Sequence, residues 1–173
     1  DGPYGLAAAD MNNDGILDLV VGHVFSQSAV VLRGNGDGTF TFLSTRSLGG
    51  TNWVIACGDV NNDGFMDVSA ANAGSSNGSI LKGNGNGTLQ VAAVMPNGGH
   101  TTGTDLVDID GDGDLDWLIS AYGANRWYLY RNNGAGAFTL LREFAAPGNP
   151  ACSVSADFDS DGDQDLMSFD SGS

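Results

Sequence analysis

A nine-residue pattern, Asp-x-Asp/Asn-x-Asp-Gly-x-x-Asp, starts at Asp10, Asp59, Asp108 and Asp157, each 49 residues after the one before. A constant step of this length demands one supersecondary unit repeated in tandem, with each unit burying its apolar surface on its neighbours. The chain divides without gaps into rows 1–49, 50–98, 99–147 and 148–173. Its 173 residues are read as a single domain, because that length suits one substantial core.

The repeated pattern has the form of a calcium-binding loop. Calcium takes oxygen ligands, and alternate side chains at loop positions 1, 3, 5 and 9 can converge on one point. The backbone carbonyl of position 7 adds a further oxygen, and glycine at position 6 allows the sharp turn. The candidate ligands are Asp10, Asn12, Asp14, Ile16 and Asp18 in the first loop and Asp59, Asn61, Asp63, Phe65 and Asp67 in the second. The third supplies Asp108, Asp110, Asp112, Asp114 and Asp116, and the fourth Asp157, Asp159, Asp161, Asp163 and Asp165. About four calcium ions per chain are expected. The loops at Asp108 and Asp157, with four carboxylates at positions 1, 3, 5 and 9, are expected to bind more tightly than those with Asn at position 3. No helical pattern follows any loop, which argues against an EF-hand arrangement.

Between the loops the rows read as strands. Small residues precede each loop, as in Leu6–Ala9, Ile55–Gly58 and Ser153–Ala156, with bulkier residues in Thr104–Val107. Short apolar runs follow it: Leu19–Val21, Val68–Ala70, Trp117–Ile119 and Leu166–Ser168. Such runs fit strands covered on both faces. A third run (Val30–Leu32, Ser79–Leu81, Tyr128–Tyr130) ends in a Gly/Asn turn, and an alternating fourth follows at Phe40–Phe42, Leu89–Val91 and Phe138–Leu140. Four antiparallel strands per repeat is the pattern of a β-propeller blade, so the chain is expected to be all-β, with about three and a half blades. The half-row 148–173 supplies only two strands, and the chain is read as a piece of a larger ring, its partners being further blades or an oligomer.

The formal charge of −15 arises from 21 acidic and six basic residues. Fourteen of the acidic side chains sit at loop positions 1, 3, 5 and 9, where bound cations would neutralise them. With a single lysine, Lys82, and five scattered arginines, no basic stripe exists for nucleic acid. No apolar run is long enough for membrane insertion. Cys57 and Cys152 fall on inner strands of non-adjacent rows and are expected to be buried thiols, or to pair with residues outside this chain, and not to form a disulfide with each other. His23 and His100 occupy different repeat positions, with no nucleophile motif or paired acid and base outside the loops, so no catalysis is expected. Trp53, which shares its repeat position with Tyr4, and Trp127, which aligns with Ala29 and Gly78, are candidate ligand-binding rings, able to stack on a sugar or anchor a partner.

Asp59–Val68 and Arg33–Phe40 resemble the loop and the Gly-Asn-Gly-Asp-Gly hallmark of FG-GAP/VCBS repeats, the calcium-binding β-propellers that include integrin α-subunit heads. The resemblance covers essentially the whole chain. The Phe-Gly and Gly-Ala-Pro that name the family are replaced by Tyr4-Gly5 or Trp53-Val54 before the loop and Val21-Gly22-His23 after it. The resemblance implies a seven- or eight-bladed ring, an extracellular or cell-surface location, and calcium between the first two strands of a blade. It points to a non-catalytic binding or adhesion scaffold for a protein or glycan ligand. The alternatives are a carbohydrate-binding lectin and an accessory propeller of a larger polysaccharide-processing enzyme.

Overall fold

The computed structural model describes residues 1–171. The first blade is a meander of β1 (Pro3–Ala9), β2 (Asp18–His23), β3 (Ser28–Gly34) and β4 (Phe40–Ser47). The second contains β5 (Asn52–Gly58), β6 (Asp67–Asn72), β7 (Asn77–Leu81) and β8 (Ala93–Pro96). The third contains β9 (Thr104–Val107), β10 (Asp116–Ala121), β11 (Arg126–Arg131) and β12 (Thr139–Ala145). β13 (Asn149–Ala156) and β14 (Asp165–Ser171) form a two-stranded sheet equivalent to the first half of a blade. All pairings are antiparallel between consecutive strands. The architecture is therefore that of a β-propeller, about three and a half blades long.

Among the described residues no ladder runs from one blade to the next, and side-chain packing joins them together with single hydrogen bonds such as Gly87 N–H to Met11 O. The inner strands β1, β5, β9 and β13 lie next to one another in that order. The apolar core is a series of layers between blades. Ala9, Met11, Val20, Ala29 and Val31 of the first blade meet Ile55, Val68, Ala70 and Leu81 of the second. Val60 and Ile80 meet Trp117 and Ile119, and Leu118, Trp127 and Leu129 meet Leu166. β6 and β10 are buried along their whole length, as the apolar runs predict.

Three expectations change. The second blade's outer strand begins at Ala93, not Leu89, although Ile80 pairs with Ala93 at the repeat position where Val31 pairs with Ser44. Leu89 is drawn into the core between the first two blades and keeps only an isolated bridge to Gly83. Cys152 is exposed and borders an open cleft, whereas burial pushes the half-buried Cys57 thiol up to about 12. Trp127 is not an available ring. It is 1% exposed and fills the layer beside Leu118 and Leu129, because β11 turns this position toward the fourth unit.

Candidate metal centre

Each Asp loop connects an inner strand to the second strand of its blade, so the two strands fix its ends. Loop position 6 has positive φ at Gly15, Gly64, Gly113 and Gly162, and an added Cβ there would meet nothing within 4 Å. Glycine is required by the backbone turn, not by crowding. Position 4 is also left-handed, at Asn13, Asn62, Gly111 and Ser160, which the sequence pattern leaves as x. Asn tolerates this conformation better than most residues, so the repeated Asn was a usable signal.

The backbone N–H groups of this turn hold the carboxylates in place. Asp10 accepts from the N–H of Asp14 and Gly15, and Asp59 from Asp63 and Gly64. Asp108 accepts from Gly111, Asp112 and Gly113, and Asp157 from Asp161 and Gly162. At position 5, one oxygen (Oδ1) of Asp14, Asp63, Asp112 and Asp161 accepts the N–H of position 7, residues Ile16, Phe65, Asp114 and Asp163. Asn12, Asn61 and Asp159 at position 3 each accept the position 5 N–H through Oδ1.

Position 9 is a clasp, buried at Asp18, Asp67 and Asp116 and partly exposed at Asp165. Asp18 accepts from Met11 N–H at 2.9 Å and Gly34 N–H at 2.9 Å, and Asp67 from Val60 at 3.0 Å and Gly83 at 2.7 Å. Asp116 accepts from Asn132 N–H, and Asp165 from Phe158 N–H. Each carboxylate thus ties the start of its loop, the following turn, or both, to the second strand. Burial pushes the Asp67 carboxyl up to about 6 against the pull of its two N–H partners, and burial also raises Asp116. A cation beside these oxygens would remove the cost of burying their charge.

The structure brings one oxygen each of Asp108, Asp110 and Asp112 within 4.8 Å of one another, and likewise of Asp157, Asp159 and Asp165. Calcium–oxygen distances of about 2.3–2.6 Å place opposite ligands about 5 Å apart, so these all-oxygen clusters fit calcium in size and chemistry. Asp116 lies outside the first trio and Asp161 outside the second. In the first two loops Asn12 and Asn61 replace the position 3 carboxylate, and among the described residues no three carboxylates of either loop bring an oxygen each within 4.8 Å of one another.

The basic residues near the loops are less scattered than the sequence reading has them. Arg33, Lys82 and Arg131 all occupy repeat position 33, at the end of the third strand or directly after it. Arg131 Nη2 lies 3.0 Å from Asp110 Oδ2 and 3.1 Å from Asp112 Oδ2. The Asp114 N–H, helped by this guanidinium, holds the Asp112 carboxyl below its ordinary value. Arg33 Nε is 3.9 Å from Asp14 Oδ2, and Lys82 donates to Ala135 O of the next blade. Counting basic residues by repeat position would have found this.

The opposite ends of the inner strands carry the aromatics. Tyr4 and Trp53 have ring centroids 5.2 Å apart, Trp53 and His100 5.4 Å, and His100 and Tyr122 6.0 Å. This line borders an open cleft of about 480 Å³ that also touches Val54, Thr102, Ala151 and Cys152. Trp53 therefore stands where a ligand could reach it, half-buried between Tyr4 and His100.

Residues 10–70, 59–119 and 108–168 match the FG-GAP-like repeat family. No curated protein matches the sequence. Among solved structures, a protein from Lactobacillus plantarum superposes with a TM-score of 0.67 at 19% identity, covering 88% of this chain and 45% of that one. The V. cholerae biofilm matrix protein Bap1 superposes with a TM-score of 0.62 at 23% identity, covering 95% of this chain and 24% of that one. The chain spans less than half the length of either.

Proposed function

The chain belongs to the FG-GAP-like repeat family, and from that premise we propose that it is a calcium-stabilised, non-catalytic binding scaffold of an extracellular or cell-surface protein. The observation that carries this reading is the in-register set of four loops, two of which gather three carboxylate oxygens within 4.8 Å. Asp108, Asp110, Asp112, Asp157, Asp159 and Asp165 would hold calcium most directly, and the equivalent residues of the first two loops would do so with an Asn oxygen. Bound calcium supplies only charge neutralisation and cross-linking of the turn here. The chain's own N–H groups orient the carboxylates, and the position 9 clasp transmits that order to the second strand.

Extracellular calcium modules work at about 10⁻⁴–10⁻³ M, and calcium at such levels outside the cell would keep these loops filled. No helix among the described residues is long and apolar enough to cross a membrane. Thermal unfolding with and without calcium, together with bound calcium per chain, tests the reading. At calcium about 100-fold above the dissociation constant each site adds about 2.7 kcal/mol. An unchanged melting temperature and no bound calcium would refute it.

The aromatic line from Tyr4 to Tyr122 favours a second reading, binding of a glycan in the cleft beside Trp53. Glycan-array binding that disappears on Trp53→Ala would support it, and no glycan binding by the folded protein would remove it. Service as an accessory propeller beside a polysaccharide-processing catalytic domain is the remaining alternative.

A further inference from the structure

The acidic loops meet different cations at one repeat position. In the third loop, Asp112 Oδ1 accepts the Asp114 N–H at 3.0 Å, which leaves Oδ2 as the oxygen available to an ion. Arg131 Nη2 holds that oxygen at 3.1 Å and Asp110 Oδ2 at 3.0 Å. A nitrogen in hydrogen-bonding range of both oxygens occupies space that an ion at about 2.3–2.6 Å from each would need. The equivalent oxygen of the second loop, Asp63 Oδ2, is held instead by the neutral Asn61 amide at 2.9 Å, while Lys82 points to the next blade. In the first loop Arg33 reaches only Asp14, at 3.9 Å.

We propose that Arg131 is a resident counter-cation of the third loop, displaced by calcium when the ion binds Asp108, Asp110 and Asp112. This rests on the calcium reading above and adds a tuning position to it. The guanidinium keeps the third loop ordered without the ion and weakens the loop's calcium affinity. The residue at repeat position 33 thus grades the loops: a two-carboxylate competitor in the third, a one-carboxylate contact in the first, and none in the second. The count of carboxylates alone would rank the third loop tightest among these three, and Arg131 offsets that advantage. Its side chain is 48% exposed, so it can swing into water when displaced.

Calcium titration calorimetry of the wild type, Arg131→Gln, Arg131→Lys and Lys82→Gln tests this, alongside terbium luminescence as a loop-specific signal. Trp117 and Tyr130, next in sequence to Asp116 and Arg131, would sensitise terbium in the third loop, but Trp117 also packs on Val60 of the second, so the third-loop signal is taken as the part that Asp108→Asn removes. Removing a competing unit charge that must leave two carboxylates before the ion binds is expected to tighten the third loop about tenfold. R131Q should also melt lower than the wild type without calcium and gain more on adding it. R131K, with the charge retained but no planar fork, should fall between, and K82Q should leave the third-loop signal unchanged. Unchanged or weaker affinity in R131Q, with calcium still bound by the wild type, overturns the counter-cation role and leaves the calcium reading standing. Absence of calcium and terbium binding in every variant overturns both.

Discussion

β7 of the second blade passes close against the third blade at Gly78. A Cβ built there would lie 2.2 Å from Ile119 Cδ1 and 2.5 Å from Trp117 Cζ2. Trp117 and Ile119 are both fully buried, and Trp117 Nε1 donates to Thr104 Oγ1 at 2.8 Å, so neither ring nor chain can retreat freely. Gly78→Ala should therefore cost about 1–3 kcal/mol in overpacking, reduced by about 0.4–1 kcal/mol gained from restricting the unfolded chain. A net loss of about 1–2 kcal/mol would lower the melting temperature by about 2–8 °C. Trp117→Phe removes the ring atoms that the new methyl would strike but leaves Ile119 Cδ1, at its own cost from the lost volume and the abandoned Thr104 bond. The double variant should consequently be more stable than the sum of the single effects, with a coupling of about 1 kcal/mol. Urea unfolding of the four proteins at fixed calcium measures the cycle. A neutral or stabilising Gly78→Ala, or strictly additive effects, would show that the blades are not closely packed there.

Asn132 donates to Val60 O at 2.6 Å and Leu115 O at 2.9 Å and accepts from Gly136 N–H, so Asn132→Ala should cost about 2–3 kcal/mol in urea unfolding. A loss below about 0.5 kcal/mol would mean that water replaces these bonds. Asp67→Ala strands the Val60 and Gly83 N–H groups and should destabilise by about 2–4 kcal/mol even without calcium, and lower the bound-calcium count by one. An unchanged calcium count would remove Asp67 from the ligand set. Burial raises the Asp105 carboxyl above its ordinary 3.8, while Ser155 Oγ donates to it at 3.2 Å. The folded state therefore holds this proton more tightly than the unfolded one. Its stabilising contribution is complete below about pH 4 and is lost as pH rises through the raised value. Asp105→Asn should consequently gain on the wild type between acid and neutral pH, and a pH-independent difference in urea midpoints would contradict this.

Much of this molecule follows from local sequence. The 49-residue step and the Asp/Gly chemistry of the loops specify blades, because positive φ at Gly15, Gly64, Gly113 and Gly162 is a backbone requirement that no distant contact has to impose. The fully buried β6 and β10 were equally visible as apolar runs, whereas the runs Leu19–Val21 and Leu166–Ser168 read the same and are only partly covered, with Met167 exposed. Contacts between repeats were not. Trp127, at the position of Ala29 and Gly78, reads in sequence as an extra ring free for a ligand, yet it fills a layer between blades that only the stacking creates. The same repeat position holds glycine in the second blade because Trp117 of the third occupies the space. Repeat position 34 behaves likewise. A Cβ at Gly34 or Gly83 would lie 2.2 Å from the carbonyl of Leu17 or Met66, whereas Asn132 hydrogen-bonds the equivalent Leu115 carbonyl and Val60 O of the blade before. The sequence by itself determined the unit, its loops and their oxygen ligands, since these depend on residues a few positions apart. Only the tertiary structure decided which rings are buried and which carboxylates Arg131 neutralises, because those depend on surfaces that meet when one strand or blade lies against another.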